Sequence, residues 1–194
     1  MEQKARKEVI AALAEAIAAV RERRDADLHD ISNHVLHAIV LYQDKNIVDV
    51  AVAIYALDKI LETEKYRKRR LMRPFVKEVL QQLGSAKLKL AANDDAGFAA
   101  AINGIFETIK KFTKQIRFFI DDLVHYARIK KASKLYEHGL SLGRAAELAG
   151  VSKWELMPAI GETATHEQFM VPPEKNLKRA QAAQKLFQRR REKK

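Results

Sequence analysis

The stretch FAAAINGIFETIKKFTKQIRFFIDDLVHY, residues 98–126, has the most regular pattern in this chain of 194 residues. Its large apolar residues recur at alternating steps of four and three: Phe98, Ile102, Ile105, Ile109, Phe112, Ile116, Phe119, Leu123 and Tyr126. This 3.5-residue repeat is typical of a coiled coil or a long bundle helix. Such a helix would be roughly 44 Å long. It would either pack along a bundle in its own chain or form the seam of a homodimer, and both alternatives are open.

The composition of the whole chain also favours helices. Hydrophobic residues make up 47% and charged residues 31%, with 7 Gly and 4 Pro, which supplies a core and too few breakers for a turn-rich β fold. We predict an all-α protein with an N-terminal multi-helix bundle over 1–130, a helix-turn-helix over 131–162, and an extended link with a basic C-terminal helix over 163–194. The absence of Cys excludes disulfides and Cys-containing zinc sites. No apolar run approaches the roughly 20 residues of a membrane span, so we expect a soluble, cytoplasmic protein with no membrane partner.

Four helical patterns precede the heptad stretch. The third of them is expected to turn one apolar face, with Ile47, Val50 and Ile54, toward the core. The expected bounds are Gln3 to Arg24 for the first helix, a cap at Asp25 or Asp27 and an end near Asp44 for the second, a cap at Asn46 for the third, and Pro74 to Gly84 for a short fourth. An Asn93-Asp94-Asp95 turn then leads into the heptad helix.

The formal net charge of +11 is concentrated in two short stretches. Residues 63–73 carry a net +5 and residues 175–194 a net +8, so the rest of the chain is close to neutral. The basic residues that we expect to contact nucleic acid in these stretches are Lys65, Arg67, Lys68, Arg69, Arg70, Arg73, Lys178, Arg179, Lys185, Arg189, Arg190 and Arg191. Dense Lys and Arg bind polyanions by releasing condensed counterions. The alternative is a solvated tail and a basic loop without a specific partner.

The segment from Tyr136 to Ile160 has the signals of two short helices joined by a tight turn. Gly139 is expected to end the preceding helix, and Ser141 to cap a helix from Leu142 to Ala149. Gly150 supplies the turn. Ser152 then caps the next helix, and Glu155 three residues later completes a Ser-x-x-Glu capping box.

This spacing predicts a helix-turn-helix, whose second helix presents its N-terminal residues to the major groove of DNA. Ser152, Lys153 and Trp154 are the expected reading residues, and Arg144 is expected to position the module. The alternative is a helical hairpin that packs on the bundle, with Trp154 as a core anchor. Pro158 is expected to kink or shorten the second helix, because it lacks an N–H and its ring clashes with the preceding turn.

The stretch LSLGRAAELAGVSKWELM, residues 140–157, resembles the small helix-turn-helix antitoxins of prokaryotic toxin-antitoxin operons. The resemblance covers about 30 to 35 residues. It implies a DNA-reading module beside a segment that engages a protein partner, often a nuclease toxin. The N-terminal helices carry no such resemblance.

Other candidate chemistry is sparse. Asp30, His34 and His37 share one helix face and could ligate a metal, but exposed polar positions are the more common reading of such a trio. Asp121-Asp122 with His125 has residue types suited to acid-base chemistry but no accompanying nucleophile. We therefore expect no enzyme, no metal and no cofactor. The predicted function is DNA binding by an antitoxin-like or transcriptional regulator, and the alternative is an RNA-binding or ribosome-associated factor in which the helix-turn-helix is a packing or protein-docking element.

Overall fold

The structure is a computed structural model, and it describes residues 1–63, 70–116, 120 and 122–160. All regular secondary structure within these ranges is helical, which confirms the predicted all-α class. Across the same ranges, no helix is both long enough and apolar enough to cross a membrane.

The helices follow one another through short connections, and most boundaries coincide with a helix-ending conformation or a capping side chain. Arg23 and Gln43 have the left-handed conformation that ends the first two helices. The helices are α1 (Gln3–Glu22), α2 (Asp27–Tyr42), α3 (Lys45–Glu62), α4 (Met72–Ala91), α5 (Asp95–Ile116), α6 (Leu123–Glu137), α7 (Leu142–Ala149) and α8 (residues 153–160).

Helix α3 is the centre of the bundle. It packs against α1, α2, α5, α6 and α7, and thirteen of its eighteen residues are buried. The expected core positions Ile47, Val50 and Ile54 are buried, and small residues such as Ala51 and Ala53 let neighbouring helices approach the other sides as well. Its burial on all sides leaves Asp49, with a side chain 15% exposed, and the buried Asp58 inside the protein.

Helices α2 and α3 form an antiparallel hairpin. The Ser32 hydroxyl of α2 donates a 2.8 Å hydrogen bond to the carbonyl oxygen of Ala51, and His29 lies beside Asp58, so the start of α2 meets the end of α3. Two expected caps in this region are wrong. Helix α2 begins at Asp27 without a side-chain cap, and Asp44 caps α3 by accepting a hydrogen bond from the backbone N–H of Asn46.

Helices α4 and α5 form a second antiparallel hairpin. The rings of Phe75 and Phe112 stack with centroids 4.0 Å apart, and Thr108 contacts both Glu78 and Gln82. The turn agrees with the sequence, since the Asp94 carboxylate accepts a hydrogen bond from the Gly97 N–H. The heptad positions of α5 are buried within the chain: Phe98, Ile102, Ile105, Ile109, Phe112 and Ile116. This part of the seam therefore packs inside the bundle, and a homodimer stays a prediction that needs another surface.

The expected single helix over residues 98–126 is wrong. Helix α5 ends at Ile116, and α6 begins at Leu123 after Asp122, whose carboxylate accepts a 2.9 Å hydrogen bond from the His125 N–H. An Asp in this position competes with the helix for its own backbone and starts a new one. Leu123 continues the heptad pattern and is buried, although it belongs to a different helix.

The expected short fourth helix is also wrong, because α4 continues through Gly84 to Ala91. A glycine inside a helix costs roughly 1 kcal/mol relative to alanine, so it weakens a helix without having to end it. The apolar positions Phe75, Val79, Leu83, Ala86 and Leu90 are all buried, and this long packed face holds the helix together.

Helix α6 is tied to three neighbours by one side chain, Arg128. Its guanidinium forms a 2.8 Å ion pair with Asp49 of α3, donates a 2.9 Å hydrogen bond to the carbonyl oxygen of Ala149 at the end of α7, and lies 5.0 Å from the centre of the Phe106 ring of α5. A cation at the C-terminal carbonyls of a helix also complements the helix dipole. Arg128 therefore positions α7 on the bundle.

Residues Met1–Leu156 form one compact unit. The predicted boundary between residues 130 and 131 falls inside α6, and α7 packs on α3 and α6 within the same unit. Residues Met157–Lys194 are a second unit, of which the structure describes only residues 157–160 at the end of α8. The predicted link and basic tail at 163–194 lie outside the described residues.

Replacing Arg128 by alanine should destabilise the protein by about 3 kcal/mol, because it leaves the largely buried Asp49 carboxylate without its cation. Urea unfolding followed by circular dichroism measures this. The matched control is Arg24→Ala, which removes an exposed cation paired with Glu22 and Asp27 and should cost much less stability, because water screens such pairs. Equal losses in the two variants would contradict the role given to Arg128.

Candidate nucleic-acid interface

The local structure of the 139–160 segment follows the sequence closely. Gly139 and Gly150 have φ values of +97° and +67°, which favour glycine. The Ser141 hydroxyl accepts a 3.3 Å hydrogen bond from the Arg144 N–H at the start of α7. Each of these features was expected from the residue types, so the predicted bounds of α7 are confirmed.

The expected capping box at the start of α8 is present. The Glu155 carboxylate accepts a 2.8 Å hydrogen bond from the Ser152 N–H, and the Ser152 hydroxyl accepts a 3.2 Å hydrogen bond from the Glu155 N–H. The bonds from Ser152 hold the pKa of Glu155 below its usual value. Glu155 also pairs with His125 of α6 at 3.1 Å, so the first turn of α8 is attached to α6. The helix continues through Pro158 to residue 160, the last one described.

Lys153 and Trp154 are exposed in the first turn of α8. The Trp154 side chain is 80% accessible to solvent, which excludes its alternative role as a core anchor. The stem of Lys153 lies over Gly143 of α7, where a β-carbon would come within 3.1 Å of the lysine Cε. Lys153 makes no ion pair with any residue in the described part of the chain. A free cation and a large exposed aromatic ring thus lie side by side at a helix N-terminus.

Arg144 has a different environment from the one expected. Its Nε donates a 2.8 Å hydrogen bond to the side-chain oxygen of Gln43, its Nη2 donates to the Gln43 carbonyl oxygen at 3.3 Å, and its Nη1 pairs with Glu147 at 3.0 Å. These contacts attach α7 to the turn between α2 and α3. Most of the donors of Arg144 are therefore used within the protein.

The helix pair formed by α7 and α8 is close to electrically balanced. Lys134 pairs with Glu137 at 2.8 Å and Arg144 pairs with Glu147, which leaves Lys153 as the cation directed at solvent. The positive charge of the protein lies elsewhere, in the two basic stretches.

The structure describes only two of the predicted basic contacts outside the helix pair. Arg70 is exposed just before α4, and Arg73 is exposed in its first turn, beside residues of α1 and α3. The structure does not group Arg73 with Lys153 or Trp154. The other basic contacts, Lys65, Arg67, Lys68, Arg69, Lys178, Arg179, Lys185, Arg189, Arg190 and Arg191, lie outside the described residues.

Three histidines, His34, His37 and His138, lie close together, and sequence reasoning grouped only the first two. The rings of His34 and His37 lie 6.3 Å apart on α2, and His138 at the end of α6 approaches His37 to 5.5 Å, beside a cavity of about 320 Å³ that Asp30 and Lys134 also line. Within the ranges that the structure describes, no three His, Cys, Asp or Glu side chains are placed to hold one metal ion. The Asp122 carboxylate is used as a helix cap, and Asp121 lies outside the described residues.

Sequence reasoning missed a buried polar cluster around Lys131. This side chain is only 2% exposed; its ammonium donates a 3.0 Å hydrogen bond to Asn33 of α2 and lies 4.7 Å from the centre of the Tyr55 ring of α3. Burial lowers the pKa of Lys131 to about 7, although the nearby Asp58 favours the charged form. Burial also raises the pKa values of Asp58 and Tyr55. A lysine within the run KKASK gives no local signal of burial.

Replacing Lys131 by methionine should remove a pH dependence from the stability of the protein. Between pH 7 and 10 the unfolded chain holds a proton on this amine that the folded chain has lost, so its contribution to the free energy of unfolding rises by about 1.4 kcal/mol per pH unit. Below pH 7 both states are protonated, and the cost of burying the charge is fully present. Urea unfolding at about pH 7.5 and about pH 9.5, both inside this window, measures the rise.

The control for this comparison is Lys130→Met, at the next position of α6, where the side chain is partly exposed. This variant should retain the wild-type rise in stability with pH. A Lys131→Met variant with an unchanged rise would show that another group titrates.

Comparison with known proteins leaves the resemblance to antitoxins as a prediction. No protein family, no curated protein and no solved structure matches this chain.

Proposed function

We propose that this chain is a nucleic-acid-binding protein, a DNA-binding regulator of the antitoxin-like or transcriptional type that reads DNA with the first turn of α8. The observation that carries the proposal is the exposure of Trp154 beside the unpaired Lys153. A tryptophan in water forgoes a large hydrophobic gain, so this position is suited to contact with a partner.

The geometry of the helix pair supports this proposal. The N–H groups and dipole at the start of α8 favour a phosphate there, and Lys153 adds a full charge. The Trp154 ring can make apolar contacts with base edges or sugars. The capping box and the His125–Glu155 pair fix the direction of this turn, so little conformational entropy is lost on binding.

The two basic stretches would provide affinity that does not depend on sequence. Their cations can contact phosphates, as Lys and Arg do in most protein–DNA complexes. The antitoxin-like part of the proposal adds a protein partner, such as a toxin, bound by another surface of the bundle.

The test is selection of duplex DNA by the full chain from genomic fragments, followed by fluorescence anisotropy on the selected site. Lys153→Glu and Trp154→Ala should each weaken binding to the selected site by about tenfold or more, because each removes a contact to the groove. Binding of Trp154→Ala to unrelated duplex should stay close to wild type, since that binding depends on phosphates.

Two control variants make this test specific. Lys110→Glu reverses an exposed charge on α5, and Leu41→Ala shortens an exposed apolar side chain on α2. Both should bind the selected site as the wild type does. Arg144→Glu is less informative, because it also breaks the attachment of α7 to Gln43. Unchanged affinity of Lys153→Glu and Trp154→Ala for the selected site would rule out reading by α8.

A second candidate function is RNA or ribosome binding through the two basic stretches. The observation that favours it is the charge balance of the helix pair, because the net positive charge lies in residues 63–73 and 175–194. In this case α7 and α8 would be a packing or protein-docking element.

The second candidate predicts that the protein co-sediments with ribosomal particles at physiological salt. The double variant Arg70→Glu/Arg73→Glu should sediment less, while Lys153→Glu should sediment as the wild type does. Recovery of the protein on chromosomal DNA, with none on ribosomal particles, would reject it.

A further inference from the structure

A long groove runs along the exposed side of α4, away from the helix pair. It has a volume of about 1060 Å³ and is bordered by the end of α1, the end of α3 and the outer face of α4. The residues that line it include none from α6, α7 or α8.

The floor of the groove is apolar. Val76, Leu80 and Leu88 lie on one stripe of α4 at helical spacing, and Val20 and Leu61 face them from α1 and α3. Leu88, in the last turn of α4, is 68% exposed, although leucine is among the residues most often buried. Gly84 lies on the same stripe, and a β-carbon built there would meet nothing within 4 Å, so the glycine deepens the groove at its centre.

The rim of the groove is basic on both sides. Arg21 and Arg23 lie on the α1 side, and Arg73, Lys77 and Lys89 lie on the α4 side; among the described residues that line the groove, the acidic one is Asp25. Lys89 is paired with Asp94 at 3.0 Å. The cations of α4 extend from residue 73 to residue 89, which corresponds to about 24 Å along the helix axis.

We propose that this groove binds an acidic amphipathic helix of a partner protein, with the apolar face of that helix on the Val76, Leu80, Leu88 stripe and its carboxylates on the basic rim. The helix-in-groove mode needs an apolar floor of several turns, which α4 provides. Charge complementarity along both edges would fix the orientation of the partner and exclude basic segments.

The distribution of charge favours a peptide over the other anionic occupants. A fatty acid has one carboxylate and needs an enclosed apolar tunnel, whereas this groove is open and its lining carries five cations from the α1 and α4 sides. A nucleic acid needs a cationic floor that follows its phosphates, whereas this floor is built from aliphatic side chains. An acidic amphipathic helix uses both the floor and the rim.

Fluorescence anisotropy with a synthetic peptide tests the proposal. The probe is a labelled helical peptide of about 18 residues, roughly 27 Å long, with leucines on one face and glutamates on both flanks. The matched peptide has every glutamate replaced by lysine. Wild-type protein should bind the glutamate peptide at least about tenfold more tightly than the lysine peptide, and the difference should shrink as salt is added.

Three variants test whether the peptide binds in the groove. Leu88→Asp and Gly84→Leu should each weaken binding of the glutamate peptide by about tenfold or more, the first by charging the floor and the second by filling it. Gly84→Leu also raises helix propensity, so it tests the groove even where Leu88→Asp fails to fold. The double variant Arg73→Glu/Lys77→Glu leaves the described lining of the groove without a net charge, so it should remove most of the preference for the glutamate peptide over the lysine peptide.

The control is Leu41→Asp, which charges a leucine that is 72% exposed on α2 and does not line the groove. It should bind the glutamate peptide as the wild type does. The proposal is overturned by equal binding of the two peptides, or by wild-type binding in Gly84→Leu. It is also overturned where dodecanoate or a single-stranded DNA oligonucleotide displaces the peptide at a lower concentration than unlabelled peptide does.

Discussion

Helix α3 is buried on every side, and its polar side chains must find partners inside the protein. Asp49 is largely buried and Asp58 is buried, and an isolated carboxylate in such surroundings is costly. Helix α6 supplies the cation of Arg128 to Asp49 and places the buried amine of Lys131 near Asp58. The position of α6 is therefore set by charge as well as by apolar packing. A shift of α6 by one turn would leave Asp49 without Arg128, while Asp58 would keep His29 and Lys59 as neighbours.

The position of α7 follows from that of α6. Arg128 holds the last carbonyl of α7, and Arg144 of α7 holds the turn that leads into α3. The two ends of a helix of eight residues are thus attached to the same central element. The first turn of α8 is attached to α6 through Glu155. Lys153 and Trp154 in this turn are consequently held on the bundle, which suits a surface that has to match the shape of a partner.

Sequence reasoning predicted the features that depend on neighbouring residues, and it missed those that depend on packing between distant parts of the chain. The Ser152–Glu155 capping box and the left-handed Gly150 depend on neighbours one to three positions away, and each is present. The heptad pattern continues across Leu123 whether or not the helix does, so the pattern hid the break after Ile116. Helix α4 continues past Gly84 because its apolar face is packed over its whole length, and no local signal in the sequence reveals that packing.

In the candidate site, too, local features were predicted and long-range contacts were missed. Lys153 and Trp154 were identified from local spacing and are exposed, as a reading position requires. Arg144 was assigned to the same site, but its partner Gln43 lies 101 residues earlier in the chain, so its structural role was not visible from its neighbours. The basic groove was hidden for a similar reason. Val76, Leu80 and Leu88 recur at helical spacing, but only the folded chain reveals that no other helix in the described ranges covers them.

Trp154 is the single tryptophan of the chain, so the tryptophan fluorescence of the protein reports on this one position. Indole emission responds to the polarity around the ring, and this ring is already in water in the folded protein. Its emission will therefore change little when the bundle unfolds, whereas a molecule that covers the start of α8 will change it directly. The protein has a natural optical label at its candidate interface, and the label is insensitive to the state of the core.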